Sequence, residues 1–195
     1  MPRERRKSKI RPKSPEACAY HRNVFQPRVA SLRTEIESIP LTVLVWGPAQ
    51  SDSILYDQRV AIINALRDRG FDAETSEALT ESTEEWSIKS QEFMQAMAAD
   101  LIVILCASPG SIAEMCGFSG FEQIARKMVV FIDHTHRESY VSLGPARDLT
   151  VYGNVQWYSS PIDFNEGKLV NSVLHVARQH QFAAWLRTAS VANVR

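Results

Sequence analysis

Six consecutive apolar residues, Leu101-Ile-Val-Ile-Leu-Cys106, run directly into Ala107-Ser108-Pro109-Gly110-Ser111. Such a run is far short of the ~20 apolar residues a membrane span needs. Short, rich in branched side chains and apolar at every position, it reads as a strand buried on both faces, which belongs inside a parallel sheet with helices on either side. Pro109 and Gly110 end the strand in a tight turn. Ser111 is placed to cap the helix that follows, which is predicted to reach about Arg126.

The rest of the chain repeats this alternation. Leu41–Trp46 is a second apolar strand ending at Gly47-Pro48. A helix from Asp57 to Arg69 follows, with Val60, Ile63, Ala65 and Leu66 inward and Gly70 as its C-cap. Residues 71–78 form a weaker strand, and residues 84–98 a helix with Trp86, Phe93, Met94 and Met97 inward. After the helix to Arg126, Met128–Ile132 is a strand ending at Asp133. Residues 134–153 read as a long loop with one short helix, 155–158 as the last strand, and about 164–186 as a closing helix. Strands alternating with helices define an α/β, doubly wound, about five-stranded, mostly parallel sheet with helices on both faces.

The 195 residues suffice for one such domain plus tails, and 45% apolar with 23% charged residues is an ordinary globular balance. Boundaries follow from composition. Residues 1–13 carry seven basic side chains against Glu4, a net charge of +6, so the remainder of this neutral chain is acidic. They read as a basic, disordered arm. Residues 14–39 are predicted to be an N-terminal helical extension, capped by Ser14 with Pro15 behind it and interrupted at Pro27. Residues 40–190 are the α/β domain.

The three cysteines have no metal-like or disulfide spacing, and Cys106 and Cys116 read as reduced, buried core residues of a cytoplasmic protein. The N-terminus lacks the apolar segment of a signal peptide.

In an open parallel sheet, ligands bind outside the carboxyl ends of the strands. Three segments reach that edge: Gly47-Pro48-Ala49-Gln50, Ser108–Glu114 and Asp133-His134. The amides of the first turn after Ser108 suit a phosphate or ribose oxygen. Glu114 has two readings. Three residues after Ser111, it has the spacing of a capping box and could do no more than cap its helix. Alternatively it is a carboxylate aimed at the ligand edge, able to attack an anomeric carbon or stabilise an oxocarbenium-like centre.

AADLIVILCA followed by SPGSIAEMCGFSGFEQIARKMVVFID, with LTVLVWGP and YDQRVAIINAL before it, resembles the nucleoside 2-deoxyribosyltransferase-like superfamily. Within it, the pattern is most similar to the small effector toxins encoded beside bacterial retrons, and it is related to TIR-type NAD-cleaving domains. The resemblance spans about residues 41–133 and is strongest over 100–118. It implies a deoxyribosyltransferase/TIR-like fold and makes Glu114 the catalytic carboxylate. It has Ser108, Gly110 and Ser111 holding ribose or phosphate oxygens, Gly47 and Pro48 lining the base or sugar pocket, and Arg59 reaching a phosphate. Asp133 is placed to orient a ribose hydroxyl.

Cys106 and Ala107 stand where such effectors often carry an acidic residue. The Asp and Tyr of true transferases have only Tyr56 and Asp57 as candidates, which favours hydrolysis over transfer.

The resemblance thus implies an N-glycosidase-type effector acting on a nucleotide or NAD-like substrate, a toxin in anti-phage defence, with no cofactor and no metal. A reverse transcriptase and structured RNA or DNA are the partners expected at the basic arm. Two other readings stay open: a nucleotide-sensing module of the same fold, and a structural subunit docking on a nucleoprotein. Asp133-His134-Thr135-His136 is a weak metal pattern. Trp157 or Tyr158 is expected to face the pocket edge. The apolar end of the closing helix, with Phe182, Trp185 and Leu186, points to a homo-oligomer or complex subunit.

Overall fold

The computed structural model describes residues 14–49, 53–81 and 85–192. The basic arm expected over residues 1–13 lies outside the described residues. The chain divides into two units, one ending at Ser38 and the other beginning at Ile39.

The described residues of the first unit form α1 (Pro15–Tyr20), a π-helical turn (His21–Phe25) and α2 (Gln26–Glu37). Ser14 caps α1 by accepting from the Ala17 amide at 3.2 Å, as its position before Pro15 suggests. The interruption falls just before Pro27, whose missing N–H cannot join the α-helical ladder. In its place the Gln26 amide donates to the His21 carbonyl five residues back.

The second unit runs β1 (Thr42–Trp46), α3 (Ser53–Arg67), β2 (Asp72–Glu74), α4 (Ser76–Leu79), α5 (Ile88–Ala98), β3 (Leu101–Cys106), α6 (Pro109–Ser119), α7 (Glu122–Ala125), β4 (Met128–Asp133), α8 (Tyr140–Leu143), α9 (Pro145–Tyr152), β5 (Asn154–Tyr158), α10 (Ile162–Asn165) and α11 (Lys168–Ala192). The five strands form one sheet in the order β2-β1-β3-β4-β5, every pair parallel. This is the doubly wound arrangement, with β3 central and all six of its residues buried.

Alternation along the strands builds two cores. Val43, Val45, Val103, Leu105 and Phe131 face α3 and α11, packing on Ile62, Leu66, Val173 and Ala177. Leu44, Trp46, Ile102, Ile104, Cys106 and Ile132 face the other way, onto Ala96, Met115, Phe118 and Leu149 of α5, α6 and α9. Each face buries side chains worth about 1.5–3 kcal/mol apiece.

The local differences from the sequence reading have physical causes. The helix expected over 84–98 begins at Ile88 behind the Ser87 cap, so Trp86 lies outside it and is 55% exposed. Met94 and Met97 are exposed as well, and Phe93 alone of the four packs on a core. In α3, Val60 is exposed and Arg59 is buried, because Ile62, Ile63 and Leu66 set the inward face. Cys106 is buried as expected, whereas Cys116 is exposed on α6. The single helix expected to Arg126 breaks at Gly120 into α6 and α7. The long loop expected at 134–153 contains a 3-10 turn (His134–His136), α8 and α9. The closing helix is split by Gly167, whose φ of 63° few residues other than glycine adopt.

Candidate active site

The chain leaves β1 for β2 on one side and β3 for β4 on the other. The strand order therefore reverses between β1 and β3, where such sheets open a crevice at their carboxyl edge. Trp46-Gly47-Pro48 ends β1 there, and Cys106-Ala107-Ser108 ends β3.

The turn after β3 holds itself together. Ser108, not Ser111, is the N-cap of α6, because Pro109 already occupies the first helical position. Ser108 Oγ accepts from the Ser111 amide at 3.2 Å. Ser111 Oγ accepts from the amides of Ala107 (3.1 Å) and Ser108 (3.0 Å) and donates to the Ser108 carbonyl at 3.0 Å. Ser111 is 1% exposed. Both hydroxyls and the Ser111 amide expected to hold a ligand thus already have partners within the turn. Gly110 remains exposed at the start of the helix, where amides lack intrahelical acceptors.

This shift of one turn removes the capping reading of Glu114. The capping box is closed by Ser108 and Ser111, so Glu114 lies beyond the amides it would have capped. Its Oε2 is buried and has no hydrogen-bond partner among the described residues, although the residue is only half-buried. Burial, together with the charges of Glu92 and Glu77, pushes its carboxyl up to about 7, against the opposing pull of Arg59. A carboxyl poised there is half ionised at neutral pH, as an acid, base or nucleophile needs.

Arg59 is placed at this edge but not freely. It is 4% exposed; its Nε donates to the Val45 carbonyl at 3.0 Å, and Nη1 donates to the Gly47 carbonyl at 3.5 Å. Both terminal nitrogens donate to the Glu77 carboxylate, Nη1 at 2.9 Å. With the two carbonyl bonds, that forked pair engages four of the five N–H donors, so Arg59 is largely held by the protein itself. Burial opposes ionisation of Glu77, but the Arg59 hydrogen bond, Glu77's own amide and the Arg59 charge hold its carboxyl below the usual range. Glu92 is held above it by burial and by the Glu77 charge.

Gly47 is required by close approach: a Cβ there would meet Leu105 Cβ at 3.2 Å, with Arg59 Cδ at 3.6 Å. Pro48 beside it is buried.

Two cavities border this edge. One of about 510 Å³ is lined by Ser76, Glu77, Thr80, Gln91 and Glu92 among others, and so includes both carboxylates that act on Glu114. The other, about 390 Å³, lies under the ends of β3, β4 and β5. Leu55, Cys106, Tyr158 and Phe164 form its apolar walls, and Asp133, Thr135, His136 and Ser160 its polar rim. Glu114 lines neither of these two, but Cys106, whose thiol feels the Glu114 charge, lines the second. Asp133 accepts from the amide and hydroxyl of Thr135, both at 2.8 Å. Burial notwithstanding, those bonds and the Ser160 amide hold it ionised. Tyr158 faces this cavity, while Trp157 packs on the opposite core and stacks with His134. Among the described residues, no three His, Cys, Asp or Glu side chains converge as a metal site.

Sequence reasoning missed Glu77, Glu92 and Trp46. Trp46 packs on Phe118, ring centroids 5.1 Å apart, and its buried Nε1 has no partner among the described residues. Glu92 reads in sequence as one more polar residue on a helix, and Glu77 joins Arg59 only through the fold, so neither carries a local signal.

The fold defines a doubly wound α/β protein with two cavities near the carboxyl edge of its sheet, neither of them lined by Gly47, Pro48 or Glu114. More particularly, the chain matches the STM3845 retron effector protein family over residues 57–187 and belongs to that family. No curated protein matches it. Among solved structures it is similar to the Clostridium botulinum CMP N-glycosidase BcmB, at 16% identity and a TM-score of 0.42, over 60% of this chain and 87% of that one. No helix among the described residues is long and apolar enough to cross a membrane.

Proposed function

We propose that this retron effector hydrolyses the N-glycosidic bond of a nucleotide or NAD-like substrate through Glu114, and that depletion of this substrate makes it a toxin. The observation that carries the reading is the Glu114 carboxyl: half-buried at the switch-point edge, one oxygen unpartnered, held near neutrality. A merely structural carboxylate would be hydrogen-bonded or solvated.

In the proposed reaction a Glu114 oxygen attacks the anomeric carbon as the C–N bond breaks. The bond's electron pair leaves with the base: a nicotinamide, cationic while bound, departs neutral, whereas the base of an ordinary nucleotide takes a proton from water. A water then attacks the glycosyl ester, freeing the sugar and returning the carboxylate and a proton. The cavity beside Cys106 supports a base or ribose subsite, since it pairs the flat walls of Tyr158 and Phe164 with the hydrogen-bonding rim of Asp133, Thr135 and Ser160. Arg59 is assigned a positioning role: it ties the end of β1 to Glu77 and moderates Glu114.

The test is Glu114→Gln in purified protein incubated with NAD, ATP and deoxynucleotides, with products followed by chromatography. Free base is expected from the native protein, and at least about 100-fold less from the variant. Undiminished cleavage by the variant would remove Glu114 from the chemistry. Because the attacking form is the carboxylate, kcat/KM is expected to rise with pH through about 7 and then level off.

A further inference from the structure

Among the described residues, three buried side-chain polar atoms find no hydrogen-bond partner: Trp46 Nε1, Gln95 Oε1 and Glu114 Oε2. Folded chains seldom leave such atoms unpaired, and three at once ask for a common cause. They come from β1, α5 and α6, and local geometry brings them together. Trp46 is fully buried, and its ring centroid lies 5.1 Å from that of Phe118. Phe118 is one turn beyond Glu114 on the same face of α6, so the indole lies beside the Glu114 side chain. The parallel register that sets Leu44 level with Glu74 carries on to set Trp46 level with Ser76. Gln95 Nε2 donates to the Ser76 carbonyl at 3.5 Å and to Thr80 Oγ1 at 3.4 Å, which holds its amide at that level too. On α5, Gln95 is one turn beyond Glu92, whose charge acts on Glu114.

The three atoms are complementary. An indole N–H only donates, an amide oxygen only accepts, and a carboxyl oxygen accepts when ionised and can donate when protonated. None bonds another directly, but a single water completes all of them, and about three such bonds is usual for a buried water. With Glu114 ionised, the water accepts from Trp46 and donates to Gln95 and Glu114. With Glu114 protonated, it accepts from Trp46 and Glu114 and still donates to Gln95. Both protonation states are satisfied, which a fixed donor such as an amide could not achieve. Only Oε2 of the two Glu114 oxygens is among these sealed atoms.

We infer that Trp46 and Gln95 are positioning residues that hold Glu114 through one shared buried water, pinning Oε2 so that the other oxygen is presented to substrate. The inference rests on the chemistry proposed for Glu114 and extends it to two residues that touch neither substrate nor reacting atoms.

The test is the indole N–H resonance of Trp46, one of four tryptophans, followed by NMR in the isotope-labelled full chain. It is expected to shift with pH at a midpoint of about 7 and to stop shifting in Glu114→Gln. Glu92 on α5, Glu77 on α4 and Arg59 on α3 are the charged groups acting on Glu114. A shift that persists in Glu114→Gln would belong to one of them and overturn the inference, as would a resonance indifferent to pH. A crystal structure should place one water within hydrogen-bond distance of all three atoms; a dry site, or a direct Trp46–Glu114 bond, would also overturn it. Both readouts use the native chain and so do not depend on how well a Trp46 variant folds. Where Trp46→Phe folds, kcat should fall about tenfold with KM little changed, and the pH limb should move upward because the carboxylate loses support. An active Glu114→Gln would defeat the glycosidase reading while the resonance still reports the shared water. An inactive Glu114→Gln with a flat Trp46 resonance would defeat this inference alone.

Discussion

Glu114 owes its state first to burial and then to three charged neighbours, whose signs separate cleanly. Glu92 and Glu77 raise its pKa and Arg59 lowers it. Glu92→Gln and Glu77→Gln are therefore each expected to move the rising limb of the pH–rate profile below 7. Arg59→Met should move it above. A profile that stays put in all three variants would mean the limb reports some other group. Glu77→Gln has a second consequence. It strands the buried Arg59 charge, whereas Glu77 itself is 61% exposed at its side chain. A stability loss of about 2 kcal/mol is expected, readable from the denaturation midpoint. None of this is visible along the chain, because Arg59 and Glu77 are brought together by α3 and α4 packing on β1.

Among the elements, the turn between β3 and α6 rests on two serine hydroxyls, with Ser111 serving two amides. Ser108→Ala should cost about 1 kcal/mol, the usual effect of losing a helix cap. Ser111→Ala should cost more, about 1–3 kcal/mol, since it leaves two part-buried amides without their shared acceptor. Equilibrium unfolding of the two variants orders them, and a smaller loss for Ser111→Ala would contradict the network described. The Ser-Pro-Gly-Ser pattern announced a capped helix start but left its register ambiguous by one turn, because both serines are good caps. Pro109 decides it by filling the first helical position. The apolar residues Trp86, Met94 and Met97 misled for a related reason. Helical periodicity says that a face exists, and only the neighbouring elements determine whether that face is covered.

At the scale of the molecule, acid–base balance acts on stability in opposed directions. Glu114 has its folded pKa raised from 4.5 to about 7, so its contribution is fully favourable below 4.5 and is lost as pH rises through 7. Glu114→Gln is accordingly expected to be more stable than the native chain at pH 8, by on the order of 3 kcal/mol at most. The difference should vanish below pH 4.5. Glu77 and Asp133, held below their usual range, contribute in the neutral region and lose that contribution on acidification. Thermal melts of both proteins across this window test the sign.

The elements of the sheet were legible because a strand buried on both faces must be apolar throughout and short. Leu41–Trp46, Leu101–Cys106 and Met128–Ile132 could hardly be anything else. The position of Glu114 near the ligand edge followed from the same local logic. Tertiary structure alone decided that β1 and β3 would be neighbours, which puts the switch point between Gly47 and Ala107. It decided too that Arg59 would be spent on Glu77, and that Glu92 would lean on Glu114. Local pattern is set by which faces of a segment must avoid water. The pairing of charges distant in sequence depends on which segments the shared core presses together.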